Sequence, residues 1–434
     1  FEYCQARCWL AMRDGEIVGR IGAIHSRKAN DKWGANRLRF TQVDFIDDPE
    51  VSSALFRTVE AWAKELDCTA VHGPLGFTDM DREGMLVEGF DRRSCFFTYY
   101  NYPYYIDHMA ALGYVKDVDW IEELITVPED EATIQRWEKI SDFVLKRHRL
   151  HIHEARSRLS YLPLLKPFFE LVNLAYAPLY GTVDLSDRQI KKYSAKFAPL
   201  INPNTTCFVM DENDRMVAFG VGAPSLASAL QKHRGRLMPT GWIDVLKAFR
   251  RNDTVDLLLI AVRPDLQSKG VNAVVISQVM RGAFDMGIRW AETGPMLELN
   301  DKVQSQWKDF QTEQHKRRRA LAVDDGHGAQ LGPGCRVQIV LHHAFGLQRL
   351  QAPDVQLGGR PRPGVDGHRR SAALLRGGGL LFLLLDLLRR FQQAHLRGLD
   401  GHLHAARLQQ QGAVAVDGQH RGGHLHAGQL HLIV

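Results

Sequence analysis

Gln267-Ser268-Lys269-Gly270-Val271-Asn272 stands between an apolar run, LLLIAV, and a stretch with helical spacing of apolar residues, VNAVVISQV. A helix that opens on a glycine turn leaves its first N–H groups pointing outward, with the positive end of the helix dipole behind them. Such a bend binds anions and suits a phosphate or pyrophosphate. Other residues able to do chemistry are scattered. Glu292 and Glu298 are possible bases by position, and equally solvated or capping carboxylates. His148, His151 and His153, in KRHRLHIH, either line a cleft or belong to an exposed basic stretch. The Gly-Pro turn at Gly73-Pro74, followed by Thr78 and Asp79, reads either as a substrate or inter-domain surface or as a tight connector with Asp79 capping a helix. Tyr99, Tyr100, Tyr102, Tyr104 and Tyr105 form a cluster for stacking on a ligand or for packing between halves. Lys232-His233-Arg234-Gly235-Arg236 meets an anion or is a solvated charge run.

The elements around these residues repeat. In the first half, CWLAMR and EIVGRIGAI flank Asp14-Gly15, a hairpin signal. RLRFTQVDF then reads as a strand. Asp48 and Pro49 supply an N-cap and a first helical position for a helix reaching about Leu66. A strand at 70–72 and a helix over 104–112, stopped by Gly113, follow. In the second half a helix at 164–175 precedes a hairpin, CFVMD and RMVAFGVGA, around Asn213-Asp214. The strand at 257–262, the glycine loop and its helix come next. Asn300 then heads a last helix ending at Phe310.

The Gln-x-x-Gly-x-Asn loop between strand and helix resembles the Q/R-x-x-G-x-G/A loop with which GNAT-superfamily acyltransferases grip the pyrophosphate of acyl-coenzyme A. The stretches GPLGFTD (73–79), GMLVEGFD (84–91), Tyr104-Tyr105, Gly113-Tyr114 and HKRRR (315–319) resemble a group of bacterial, largely uncharacterised tandem GNAT-like proteins. The resemblance covers about residues 1–319. It implies an α/β chain of two tandem GNAT-like lobes, each a mixed central sheet flanked by helices. The first lobe is expected over 1–125, a connector over 126–160 and the second lobe over 161–319.

The same resemblance implies acetyl-CoA or another acyl-CoA as co-substrate. Ile260 and Val262 of the strand, Gln267, Ser268, Lys269, Gly270, Val271 and Asn272 of the loop, and Asn300 are the residues expected to hold it. The implied reaction is attack of an amine, on a small molecule or a peptide, on the thioester, with an N–H near 260–262 polarising the carbonyl. Two departures stand out. Asn272 replaces the family's Gly or Ala, although Asn tolerates left-handed backbone. The last helix carries Trp307 and lacks the Tyr that the family often uses as acid, so no catalytic base or acid is assigned. An alternative reading is therefore a non-catalytic acyl-CoA-binding or regulatory protein. Another is kinship with tandem folds that add aminoacyl groups from tRNA to cell-wall precursors, against which the loop argues. The first half has Asp47-Asp48-Pro49-Glu50 where the loop would lie, so like charges repel a phosphate there.

A chain of 434 residues with a net charge of +5 and 24% charged residues has room for two or three domains and no general nucleic-acid signature. Six cysteines without C-x-x-C spacing fit reduced thiols and predict no metal site. No apolar run reaches eighteen residues, the longest being 380–388 with Asp386 inside it, so no membrane partner is expected and a cytoplasmic location is. The chain opens at Phe1 and runs at once into a strand-like stretch, which reads as a fragment lacking its N-terminus.

From Ala320 onward there is no Lys, Glu, Asn, Thr, Tyr, Trp or Met. The residues that dominate there share codons beginning with G or C. Residues 320–434 are thus expected to lack a convincing fold and to be an out-of-frame or antisense translation; a Gly/Arg/His-rich disordered tail is the competing reading. Eleven of the nineteen histidines fall there, among them His342-His343, His402, His404, His424 and His426, and no metal site is expected from them.

Overall fold

Asp14 and Gly15 both adopt positive φ, at 51° and 82°, the geometry that a tight hairpin between right-twisted strands requires. They join β1 (Cys4–Arg13) to β2 (Glu16–Ser26). The computed structural model describes residues 3–154, 158–324 and 337–342. After a short α1 (Arg27–Trp33) come β3 (Arg37–Phe45) and α2 (Pro49–Glu65). Asp48 caps α2 by accepting from the Glu50 N–H, as the Asp-Pro pair predicts. β4 (Ala70–Gly73), β5 (Met85–Glu88), α3 (Tyr104–Ala111) and β6 (Val115–Thr126) complete this half. Phe40, Phe56, Trp62 and Tyr114 fill its core.

The stretch expected to be a connector is a structured one. It holds α4 (Glu131–His148) and β7 (His151–Ile152). Ile134, Ser141 and Val144 form the buried stripe of α4, three to seven residues apart as a helix requires. The second half continues with α5 (Leu165–Tyr176), α6 (Asp187–Phe197), β8 (Thr206–Met210), β9 (Met216–Pro224), α7 (Ala227–Lys232) and α8 (Gly241–Ala248). Then come β10 (Thr254–Val262), α9 (Val271–Asp285), β11 (Trp290–Thr293), β12 (Met296–Leu297) and α10 (Asp301–Gln304). The last helix is thus a single turn of α-helix followed by a 3-10 turn, Ser305–Trp307, rather than a continuous helix to Phe310. Trp307 is buried, and its indole N–H points at Met296 Sδ.

β13 (Thr312–Asp324) and β14 (Gln338–His342) close the described chain. The sheet runs in the order β14-β1-β2-β3-β4-β13-β6-β11-β10-β9-β8-β7. The two halves exchange strands in it: β13, from the second half, lies between β4 and β6, while β6, from the first, pairs with β11 and β12. The break expected at Ala320 falls inside β13. Ala320, Leu321 and Val323 are buried in the sheet, and 321–324 pair with β4, so the ordered strand outlasts the composition change by five residues. β14 pairs with β1. The apolar run at 380–388 and His343, His402, His404, His424 and His426 lie outside the described residues. Among the described residues no helix is long and apolar enough to cross a membrane.

Candidate functional site

Strand β10 makes two different kinds of neighbour. It pairs antiparallel with β9 to its end, but parallel with β11 only from Thr254 to Leu257. The register on the β9 side slips between Leu257 and Leu259, a bulge that re-aims the strand. Beyond it the edge that faced β11 is open. The carbonyls of Ile260 and Val262 leave from that edge, where the Tyr176 hydroxyl donates to the first at 3.0 Å and the Gln267 side-chain amide to the second at 3.2 Å. In an extended strand a residue's N–H leaves from the same edge as its C=O. The N–H groups of Ile260 and Val262 therefore face the opening.

The loop after β10 is built by a short turn and two left-handed residues. Ser268 has φ 61° and Gly270 has φ 82°, and a side chain on Gly270 would strain the backbone and press on Val144. No side chain caps α9. Its first turn thus keeps the outward-facing donors and dipole that an anion needs. Ser268 and Lys269 are exposed at the turn, Val271 is buried beneath it, and Lys302 Nζ reaches Gln267 Oε1 at 3.2 Å, bringing a second cation to the loop. The contrast with the first half is direct: Arg13 binds both Asp48 and Glu50 at 2.8 Å, filling the start of α2 with an ion-pair network.

A cavity of about 800 Å³ opens beside β10. Residues 257–262, Gln267, Ser268, Asn272 and Asn300 line it, together with the apolar face of α9 at Val275, Ile276, Val279 and Met280. Phe96, Phe97, Phe197 and Met296 add apolar wall. From the first half come Asp79, Asp81, Arg82, Glu83 and Trp120. The structure thus brings six of the nine expected residues to one opening, with Lys269, Gly270 and Val271 forming the turn at its rim.

The segment after Gly73-Pro74 is held rigidly. Arg39 donates to the carbonyls of Gly76 and Gly181, while Asp81 accepts from the Phe77 N–H and the Tyr193 hydroxyl, each at 3.0 Å. Asp79 caps no helix and faces the cavity instead. Burial pushes its carboxyl up to about 6. Burial, together with the charge of Asp79, raises Glu83 well above the usual range. Glu83 was not singled out from sequence, because it sits in an irregular stretch with no period and only folding brings it beside Asp79.

Other candidates resolve into structure. Glu292 is buried against Lys316, and Glu298 pairs with Lys116 and Arg317. His148 ends α4, His151 pairs with Asp214, and His153 packs its ring on Tyr161. Lys232 and His233 both reach Asp244 at 2.7 Å. Tyr104 and Tyr105 bond the Phe45 backbone and Tyr100 the Phe90 carbonyl, so these tyrosines pack within the first half rather than between the halves. Ser52, His108 and Asp47 are hydrogen-bonded in the order of a nucleophile triad. Ser52, however, is 1% exposed and also bonds the Pro49 carbonyl inside α2.

Each half therefore runs hairpin, strand, helix, parallel strand, with the parallel pair parting midway: β3 with β4 after Arg39, β10 with β11 after Leu257. The fold is tandem GNAT-like. No family model matches the chain. Protein YghO of Escherichia coli (strain K12) is 26% identical over 323 residues, which is 72% of this chain and 80% of that one. A bacterial ceramide synthase of Caulobacter vibrioides is 22% identical over 297 residues, covering 66% of this chain and 74% of the relative. Among solved structures, a tandem GNAT protein from the clavulanic acid biosynthesis pathway superposes with a TM-score of 0.42 at 10% identity, covering 76% of this chain and 85% of that one.

Proposed function

We propose that the chain is an acyl-CoA-dependent N-acyltransferase whose donor site lies in the second lobe. The observation that carries this reading is the open edge of β10 leading from the uncapped start of α9 into the apolar cavity. The pyrophosphate is received by the loop N–H groups with Lys269 and Lys302 nearby, the pantetheine runs along 258–262, and the thioester carbonyl meets the N–H of Ile260 or Val262. An acyl chain continues among Val275, Val279 and Met280. An amine acceptor also agrees with the name of the Caulobacter relative, since a ceramide is the amide of a fatty acid and a long-chain amino alcohol.

Isothermal titration of the full chain with acetyl-CoA and octanoyl-CoA, followed by thioester consumption across a panel of amines, tests the reading. Binding with turnover of at least one amine is expected. No binding of either thioester defeats it. Asn272 and the Trp307 position, where the family's Tyr is lacking, favour a second reading, a non-catalytic acyl-CoA sensor. Binding with no turnover across the panel supports the sensor.

A further inference from the structure

Besides the loop end, the cavity has an acidic corner, and it belongs to the first lobe. Asp79 and Glu83 line it, and two of their oxygens, Asp79 Oδ2 and Glu83 Oε1, are hidden from solvent with no hydrogen-bond partner. A buried carboxylate oxygen without a donor costs several kcal/mol in a protein unless a cation or proton arrives. Arg39, whose charge acts on both carboxylates, donates to the carbonyls of Gly76 and Gly181. Asp81, between them in sequence, is already satisfied by Phe77 and Tyr193. Apolar Phe96, Phe97, Leu258 and Phe197 line the same cavity, as do the cations Arg82 and Lys196. Tyr176 lines the same cavity and bonds Ile260 of the open strand edge.

We infer that Asp79 and Glu83 of the first lobe form the acceptor site for the second, receiving a primary ammonium group carried on an apolar body and taking its proton before attack. This rests on the reading of the cavity as an acyl-CoA site. Asp79 accepts one proton from R–NH3+ and passes it to solvent. The freed amine attacks the thioester carbonyl carbon, the C–N bond forms and the C–S bond breaks. A second proton, from the attacking nitrogen, goes to the leaving sulfur, so that ammonium and thioester give amide, thiol and one released proton. The raised affinity of Asp79 for protons, about 6, suits a base working near neutrality. The charged and titratable groups that act on the pair are Lys32, Arg39 and Asp81, with Tyr176, Tyr180 and Tyr193 responding to it in turn.

The probes are octylamine and its neutral counterpart 1-octanol, titrated into the full chain, with octanoyl-CoA in parallel. Octylamine should bind at least tenfold more tightly than octanol at pH 7.5, and the difference should shrink below pH 6. D79N, and separately E83Q, should lose at least tenfold in octylamine affinity while binding octanoyl-CoA as before. Where turnover is measurable, D79N should lower kcat more than it raises KM, and D79E should recover part of the rate. Equal binding of amine and alcohol by the unaltered protein overturns the proposal, a result that needs no variant to fold. So does unchanged octylamine affinity in both variants. Amine discrimination without octanoyl-CoA binding leaves the acceptor site standing and removes only the acyl-CoA reading.

Discussion

Lys316 Nζ lies 2.6 Å from Glu122 Oε2, and neither side chain has any exposure. The two residues belong to β13 and β6, the strands the lobes exchange. Arg318 binds the same carboxylate, and Lys316 also binds Glu292 of β11. Burial works against the ionised form of Glu122, yet Arg318 and Lys316 hold its carboxyl below the ordinary range. The seam between lobes is therefore a buried charge network in which every member needs the others.

Breaking such a network from one side strands a charge in the interior. Lys316→Met should lower unfolding stability by about 3–5 kcal/mol, read as a shift of the urea midpoint at unchanged slope. A loss below 1 kcal/mol would mean that water reaches the seam.

Asp256 sits beside this network, fully buried, with the Ser225 side chain next to its carboxyl. Burial, and then the charge of Glu292, pushes its carboxyl up to about 8. The folded chain thus keeps a proton that the unfolded chain releases above its ordinary value of 3.8. Unfolding gives up that proton, so rising pH favours it. Asp256 should contribute a fall in stability between about pH 4 and 8, by up to about 1.4 kcal/mol per pH unit, and Asp256→Asn should make the slope shallower by that contribution. An unchanged slope in the variant would clear Asp256.

Gly270 holds φ 82° where the loop turns into α9. Gly270→Ala should cost about 1–2 kcal/mol from left-handed backbone alone and weaken octanoyl-CoA binding at least tenfold by re-aiming the first N–H groups. Thermal melting and titration read the two effects separately. Retention of full affinity would show that the turn does not hold the nucleotide.

An apolar cavity of about 800 Å³ should reward length in the acyl chain. Each buried methylene contributes about 0.8 kcal/mol, or roughly a fourfold gain in affinity. Dissociation constants for acetyl-, butyryl-, hexanoyl- and octanoyl-CoA should fall accordingly. A flat series would put the chain outside the cavity.

The end of β13 gives a further check. A chain stopped after Asp324 should melt higher than one stopped after Arg319, because the latter loses buried Ala320, Leu321 and Val323 and their pairing with β4. Equal melting temperatures would show those five residues to be dispensable.

The features legible in sequence were those written in adjacent residues. Asp14-Gly15, Asp48-Pro49 and Gly113 each encode a turn or cap in one or two positions, and the structure has them where expected. α4 was hidden because its exposed faces are dense with charge and its buried stripe is thin, only Ile134, Ser141 and Val144. Strand exchange left no trace at all: nothing in the residues of β6 or β13 names a partner strand. The candidate site divides the same way. Its loop is local and was visible at Gln267 and Gly270, while Glu83 meets Asp79 only in the folded first lobe, and both meet Tyr176 and β10 only across the two lobes.

Since β6 finishes the second lobe and β13 the first, cutting the polypeptide anywhere from 127 to 311 yields two fragments that each lack a neighbour for an inner strand. Neither fragment is a working half. They are matched pieces of one object, which should melt in a single step and regain function only when mixed with each other.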